Sequence, residues 1–179
     1  MKPIFIIGYM GCGKTTFGRA LAQASGLRFI DLDDFIEERY GASVREIFDS
    51  VGEEGFRLRE KQMLRLAGEF SDCIVSCGGG TPCFFDNMDY MNSVGTTLWL
   101  MASEETLLSR LVRKREKRPL LAKKTDDEIK SFISTQLETR SPFYGKAKLK
   151  WKGDSLEDKR QIDSNIAEFL SSHSLQNLP

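Results

Sequence analysis

A three-layer α/β/α fold around a five-stranded parallel sheet is predicted for this chain of 179 residues, and three observations carry the prediction. Short apolar runs alternate with segments of helical period from one end of the chain to the other. The first run, Ile4-Phe5-Ile6-Ile7, passes directly into a glycine-rich turn and then a helix. No internal repeat, linker or low-complexity stretch interrupts the alternation, so one domain over 1–179 is expected.

Strand 1 is the run at 4–7. A helix over 14–25 follows, with Phe17, Leu21 and Ala24 on one face and Gly26 as its stop signal. Strand 2, Arg28-Phe29-Ile30, delivers Asp31-Leu32-Asp33-Asp34 at its end, where carboxylates face the ligand crevice of a parallel sheet. As a plainer alternative, the same residues read as an acidic helix start. Ser43 and Glu46 form a capping box that opens a short helix through Phe48; Gly52 breaks it, and a longer helix over 53–69 carries Phe56, Met63, Ala67 and Phe70 on one stripe. Strand 3, Cys73-Ile74-Val75-Ser76-Cys77, runs into Gly78-Gly79-Gly80, which lets backbone approach a ligand closely. A helix over 86–92 leads to strand 4 at 97–101. Ser103, with Glu104 and Glu105 in the first turn, starts a helix whose Leu107, Leu108, Leu111 and Val112 face inward. A second capping box, Thr125 to Glu128, opens a helix to Arg140 with Ile129, Phe132, Ile133 and Leu137 buried. Lys148-Leu149-Lys150-Trp151 alternates as an edge strand does, a last helix carries Ile162, Ile166, Phe169 and Leu170, and 171–179 is expected to be a disordered tail.

Composition narrows the function classes. Lys plus Arg and Asp plus Glu both number 26, so no global field recruits nucleic acid or an anionic membrane. Cys12, Cys73, Cys77 and Cys83 lack C-x-x-C spacing and the chain has one histidine, which argues against structural zinc. No apolar run approaches the roughly 20 residues that span a bilayer, and no signal pattern precedes the first strand. A cytoplasmic protein with reduced thiols is expected.

The chemistry begins at Gly8-Tyr9-Met10-Gly11-Cys12-Gly13-Lys14-Thr15, which fits G-x-x-x-x-G-K-[ST] in the strand–loop–helix context that pattern requires. Backbone N–H groups there curl around phosphates, Lys14 adds a mobile charge for the β- and γ-phosphates, and Thr15 adds a hydroxyl ligand for Mg²⁺. No Asn-Lys-x-Asp for guanine is present, and strand 3 ends in glycines where a Walker-B aspartate belongs, so the metal-side carboxylate is expected from strand 2. The basic segment 113–124, interrupted by Pro119, suits a lid that closes over a nucleotide and excludes water. It lacks the aromatic residues with which a nucleic-acid patch stacks bases.

Several motifs together resemble the shikimate kinase family: Gly-x-Met-Gly-x-Gly-Lys-Thr-Thr at 8–16, Phe29-x-Asp31-x-Asp33 with Ile36-Glu37, Gly52-Glu53 before Phe56-Arg57, the triple glycine, Arg118-Pro119-Leu120-Leu121 and Arg140-x-Pro142-x-Tyr144. The resemblance runs from residue 4 to about 151. It implies a nucleoside-monophosphate-kinase-like fold with sheet order 2-3-1-4-5, a substrate-binding region at about 31–60, a lid at about 113–124, and ATP-dependent phosphorylation of the 3-hydroxyl of shikimate. It further implies that Gly11, Cys12, Gly13, Lys14, Thr15 and Thr16 hold the ATP phosphates, that Thr15 and Asp31 serve Mg²⁺, and that Arg110 packs by the adenine. Asp33 would accept a hydrogen bond from the substrate hydroxyl. Arg57 and Arg140 would grip the carboxylate, Gly79 and Gly80 would offer N–H groups, and Arg118 would reach the γ-phosphate. The lone histidine, His173, lies in the tail, so any general base is a carboxylate, with Asp33 the best placed.

For Arg57 the competing role is a surface ion pair with Glu53 or Glu60, which are four residues before it and three after. Cys12 and Gly55 depart from the family pattern, and the lid run is slightly long, which bears on Arg110. A gluconate or nucleoside monophosphate kinase is the nearest alternative, and a non-catalytic nucleotide-binding module the alternative from another class. The partners expected are ATP and a small anionic acceptor, with no nucleic acid or membrane, acting on a monomer.

Overall fold

The computed structural model of the chain describes residues 1–117, 121–175 and 178. At its centre lies β1 (Ile4–Ile7), with every side chain fully buried, the condition that an unbroken apolar run meets when helices cover both faces of a parallel strand. β3 (Cys73–Ser76) and β4 (Thr96–Met101) pair with it on either side, β2 (Arg28–Asp31) pairs with β3, and β5 (Leu149–Lys152) pairs with β4. All four pairings are parallel and give the order β2-β3-β1-β4-β5, the order the resemblance implies. Strand order therefore reverses direction at β1, and a crevice opens beyond the carboxyl ends there. The register aligns Asp31 with Ser76, and Cys77 N–H donates to Ile6 O at 3.0 Å. Those two facts bring the ends of β2, β3 and β1 to one level.

α1 (Lys14–Ser25) follows β1 with the bounds that periodicity predicts, and the Gly26 N–H caps it on Ala22 O. α2 (Leu32–Tyr40) is the acidic helix start that the plainer alternative offers, and it begins where the Asp31 carboxylate accepts from Asp33 N–H, with Asp33 and Asp34 in its first turn. α3 (Val44–Gly68) opens with the complete Ser43–Glu46 capping box and joins both predicted helices across a kink at Gly52, whose φ of 70° and ψ of −178° are non-helical. α4 (Asn87–Val94) follows a 3-10 turn at Thr81–Cys83, and α5 (Glu104–Arg113) is capped by Ser103.

Two elements run past their predicted ends. α6 (Asp126–Tyr144), opened by the Thr125–Glu128 capping box, continues beyond Arg140 with Pro142 inside it. A proline so near a C-terminus forfeits one hydrogen bond, and the fully buried Tyr144, 5.8 Å from the Trp99 ring, anchors the extra turn. α7 (Lys159–Ser172) includes Ser171 and Ser172, which corrects the expectation of disorder from 171 onward. Its Phe169 packs edge-on against Phe17 of α1 at 5.5 Å and against Trp151 of β5 at 5.2 Å. His173 then stacks on Phe169 at 4.7 Å, so aromatic contacts from distant elements hold the first tail residues. Of the expected tail, 176, 177 and 179 lie outside the described residues, as does Arg118 of the lid.

Candidate active site

A cleft of about 750 Å³ opens at the carboxyl ends of the strands, lined among others by Lys14, Thr15, Thr16, Asp31, Asp33 and Gly79. Gly11, Gly13 and Arg110 line it too. Lys14 is buried, its ammonium donating to Gly8 O at 2.8 Å and Tyr9 O at 3.1 Å, so the charge sits over the mouth of the glycine loop. Gly13 precedes α1 directly, and the first helical N–H groups, from Lys14 to Thr16, lack intrahelical acceptors by position and face the same opening. Cys12 is buried, and its N–H instead closes a turn on Tyr9 O at 3.2 Å.

Beside the loop, Thr15 Oγ1 donates to Asp31 Oδ2 at 2.9 Å and lies 3.5 Å from Ser76 Oγ. The hydroxyl proton is committed to Asp31, which leaves the oxygen lone pairs for a ligand. Three hard oxygens from β2, α1 and β3 meet there, and this donor set fits Mg²⁺. Ser76, which sequence reading missed, occupies the end of β3 where the aspartate is absent.

Asp33, at the start of α2, lies among like charges. Burial, and then the Asp31 and Glu60 carboxylates, push its pKa up to about 6 against the opposing pull of Lys14 and Arg57. Its Oδ1 is 3.4 Å from where a β-carbon on Gly78 would stand. The same glycine loop touches both predicted arginines. A β-carbon on Gly79 would lie 3.4 Å from Arg140 Nη1, and one on Gly80 only 2.7 Å from Arg57 Nη2. Charged side chains thus close on the loop from three directions. Among the described residues, neither the Gly79 nor the Gly80 N–H is engaged by an acceptor.

Arg57 makes both ion pairs that its helix offers, with exposed Glu53 at 3.5 Å and with buried Glu60, yet its own side chain is largely buried. Its side chain is 13% exposed, lies over the Phe84 ring at 4.1 Å, and donates from Nη1 to Glu60 Oε2 at 2.8 Å, while its Nε is buried without a partner. Glu60 is 1% exposed and also accepts from Thr81 Oγ1 at 2.5 Å. A fully buried carboxylate thus holds the arginine against the glycine loop. Sequence reading named Glu60 only as a competing partner, although its place between Phe56 and Met63 in the apolar stripe of α3 marks a charge at a core position.

Arg110 lines the cleft with the edge of its guanidinium already engaged. It is 8% exposed, with Nε on Glu157 Oε1 at 2.6 Å, Nη1 on the carbonyls of Gly11, Cys12 and Gly153, and Nη2 on Asp154 O. These bonds tie the phosphate loop to the 153–157 connection after β5, and only the planar face of the guanidinium is left for a base. The connection is itself fixed, since Asp154 Oδ1 accepts from Ser103 N–H, Ser103 Oγ and Thr106 Oγ1.

Comparison with known proteins agrees with this arrangement. The family model described as shikimate kinase matches residues 10–171. A shikimate kinase from Phocaeicola vulgatus is 53% identical over 166 residues, covering 93% of this chain and 95% of that one. The crystal structure of the shikimate kinase from Bacteroides thetaiotaomicron superposes with a TM-score of 0.92 at 44% identity, over 96% of this chain and 97% of that one. The shikimate kinase from Acinetobacter baumannii, solved in complex with shikimate, gives 0.80 at 31% identity, over 98% and 96%. With its phosphate loop, its acidic β2 end and its arginine-ringed glycine loop, the chain belongs to the shikimate kinase family.

Proposed function

We propose that the protein transfers the γ-phosphoryl group of ATP to the 3-hydroxyl of shikimate, giving shikimate 3-phosphate and ADP. The observation that carries this reading is the approach of Asp33, Arg57 and Arg140 to one loop of three glycines beside the phosphate loop. An acceptor with a carboxylate at one end and hydroxyls at the other complements two guanidinium groups, a carboxylate and free N–H groups.

In this reading Lys14 and the N–H groups of 14–16 hold the transferring phosphates, with Gly11, Cys12 and Gly13 shaping the loop. Thr15 and Asp31 would hold Mg²⁺, which would neutralise phosphate charge when bound. Arg57 and Arg140 bind the acceptor carboxylate, and the Gly79 and Gly80 N–H groups orient the ring. Asp33 accepts the proton of the attacking hydroxyl. In a loose transition state that proton moves late, so the carboxylate first serves to aim the oxygen. Arg118, outside the described residues, has the γ-phosphate as its expected partner by the family resemblance, and Arg110 offers its face to the adenine. In the same reading the enzyme works as a monomer in the cytoplasm.

The direct test measures ATP-dependent ADP release with shikimate, gluconate and nucleoside monophosphates side by side. Turnover is expected with shikimate alone, and its absence would overturn the assignment. Gly80→Ala should test the acceptor half separately. Gly80 has φ −88° and ψ −21°, so alanine strains no backbone, but its methyl displaces the Arg57 guanidinium. The shikimate KM is expected to rise about tenfold while the ATP KM holds, as the weakening of one charge-assisted contact implies. Steady-state kinetics with each substrate varied in turn decides the point.

A further inference from the structure

We infer that Tyr144 is a positioning residue for the acceptor: its buried hydroxyl fixes the Gly79–Gly80 peptide so that the Gly80 N–H faces the substrate. The inference deepens the function proposed above and rests on it. Tyr144 is fully buried in the last turn of α6, and its hydroxyl donates to Gly79 O at 2.6 Å. A trans peptide is planar, with its oxygen and hydrogen on opposite sides. The chain has no cis bond among the described residues, so holding the Gly79 oxygen aims the Gly80 N–H away from Tyr144.

The other two carbonyls of the loop are held by backbone. Gly78 O accepts from Thr81 N–H at 3.1 Å and Gly80 O from Cys83 N–H at 2.8 Å, both within the 3-10 turn. Gly79 O relies on a side chain. The need is physical: charged groups crowd the loop, and a peptide between two glycines rotates more freely than any other. α6 meets that need with two residues one turn apart on the same face, Arg140 against the Gly79 Cα and Tyr144 on its carbonyl. Burial keeps the phenol protonated well beyond neutral pH, so the donor persists across the working range.

Tyr144→Phe keeps the ring packed against Trp99 and deletes only the donor. The shikimate KM and the calorimetric Kd for shikimate are expected to rise about tenfold, with the ATP KM within about twofold, because one buried hydrogen bond has gone. An unchanged shikimate KM, or equal changes for both substrates, would overturn the inference. Wild-type enzyme run in parallel separates the two levels. If it fails to turn over shikimate, the assigned function falls and the inference with it; if it turns over normally beside an unaffected Tyr144→Phe, the role of Tyr144 alone falls. Should the phenylalanine variant not fold, 3-fluorotyrosine at 144 decides. Its hydroxyl is a stronger donor, so shikimate should bind more tightly with ATP binding unchanged, and no change in shikimate affinity would refute the role.

Discussion

Asp33→Asn is expected to lose about 10³-fold in kcat, within the range that a positioned general base contributes, while ATP still binds. The same substitution should make the protein more stable at neutral pH. In the folded chain the Asp33 carboxyl is pushed up to about 6, against 3.8 for the free group, chiefly by burial and then by Asp31 and Glu60. Between those two values the folded chain holds a proton that the unfolded chain has released. The contribution of Asp33 to stability is therefore greatest below about pH 4, falls as pH rises to about 6, and is level above it, with a loss from this group on the order of 3 kcal/mol. Asparagine carries no charge to desolvate, so the variant should melt higher than the parent at pH 7 and no higher at pH 4. The wild-type kcat/KM should decline below about pH 6 with a slope of one as the carboxylate protonates. Melting curves at the two pH values and a pH–rate profile check both halves. A variant with near-normal kcat would remove Asp33 from the chemistry, and an unchanged melting temperature would mean that its charge carries no folding cost.

Arg57→Ala has the second large effect, on two quantities at once. Losing a bidentate contact to the acceptor carboxylate is expected to raise the shikimate KM on the order of 10²-fold with little change for ATP. It also leaves Glu60, 1% exposed, with Thr81 as its remaining donor. Removing one partner of a buried pair costs about 3 kcal/mol at the low end, which lowers Tm by roughly 6–12 °C in a chain of this length. Arg57→Lys restores a positive charge beside Glu60 and should recover most of the melting temperature but little of the KM, because an ammonium cannot present the planar fork. If alanine raised both KM values equally, Arg57 would be a structural residue and not an acceptor ligand.

The sequence is most readable where local chemistry suffices. β1 and α1 have the predicted bounds because an apolar tetrad, a glycine loop and a glycine stop each act within a few residues. Both capping boxes form for the same reason. The long-range order of the five strands came through family resemblance and not through periodicity, which carries no information on which strands neighbour one another. What stayed hidden depends on tertiary contact. Ser76 acquires meaning only when β3 lies beside α1, Tyr144 only when α6 continues through a proline, and the guanidinium of Arg110 only when Gly153 and Asp154 come to meet it. His173 has no local signal of order, because its partners, Trp151 and Phe169, come together only when β5 and α7 pack.

The bend in α3 has a stereochemical consequence. A β-carbon at Gly52 would meet nothing within 4 Å, yet the backbone there sits at φ 70°. The position thus selects on handedness and not on size: a D-alanine would fit where an L-alanine is strained. One achiral residue sets the angle at which the second arm of the helix carries Arg57 and Glu60 to the glycine loop, so the placement of the proposed acceptor arginine depends on a residue with open space where a side chain would stand.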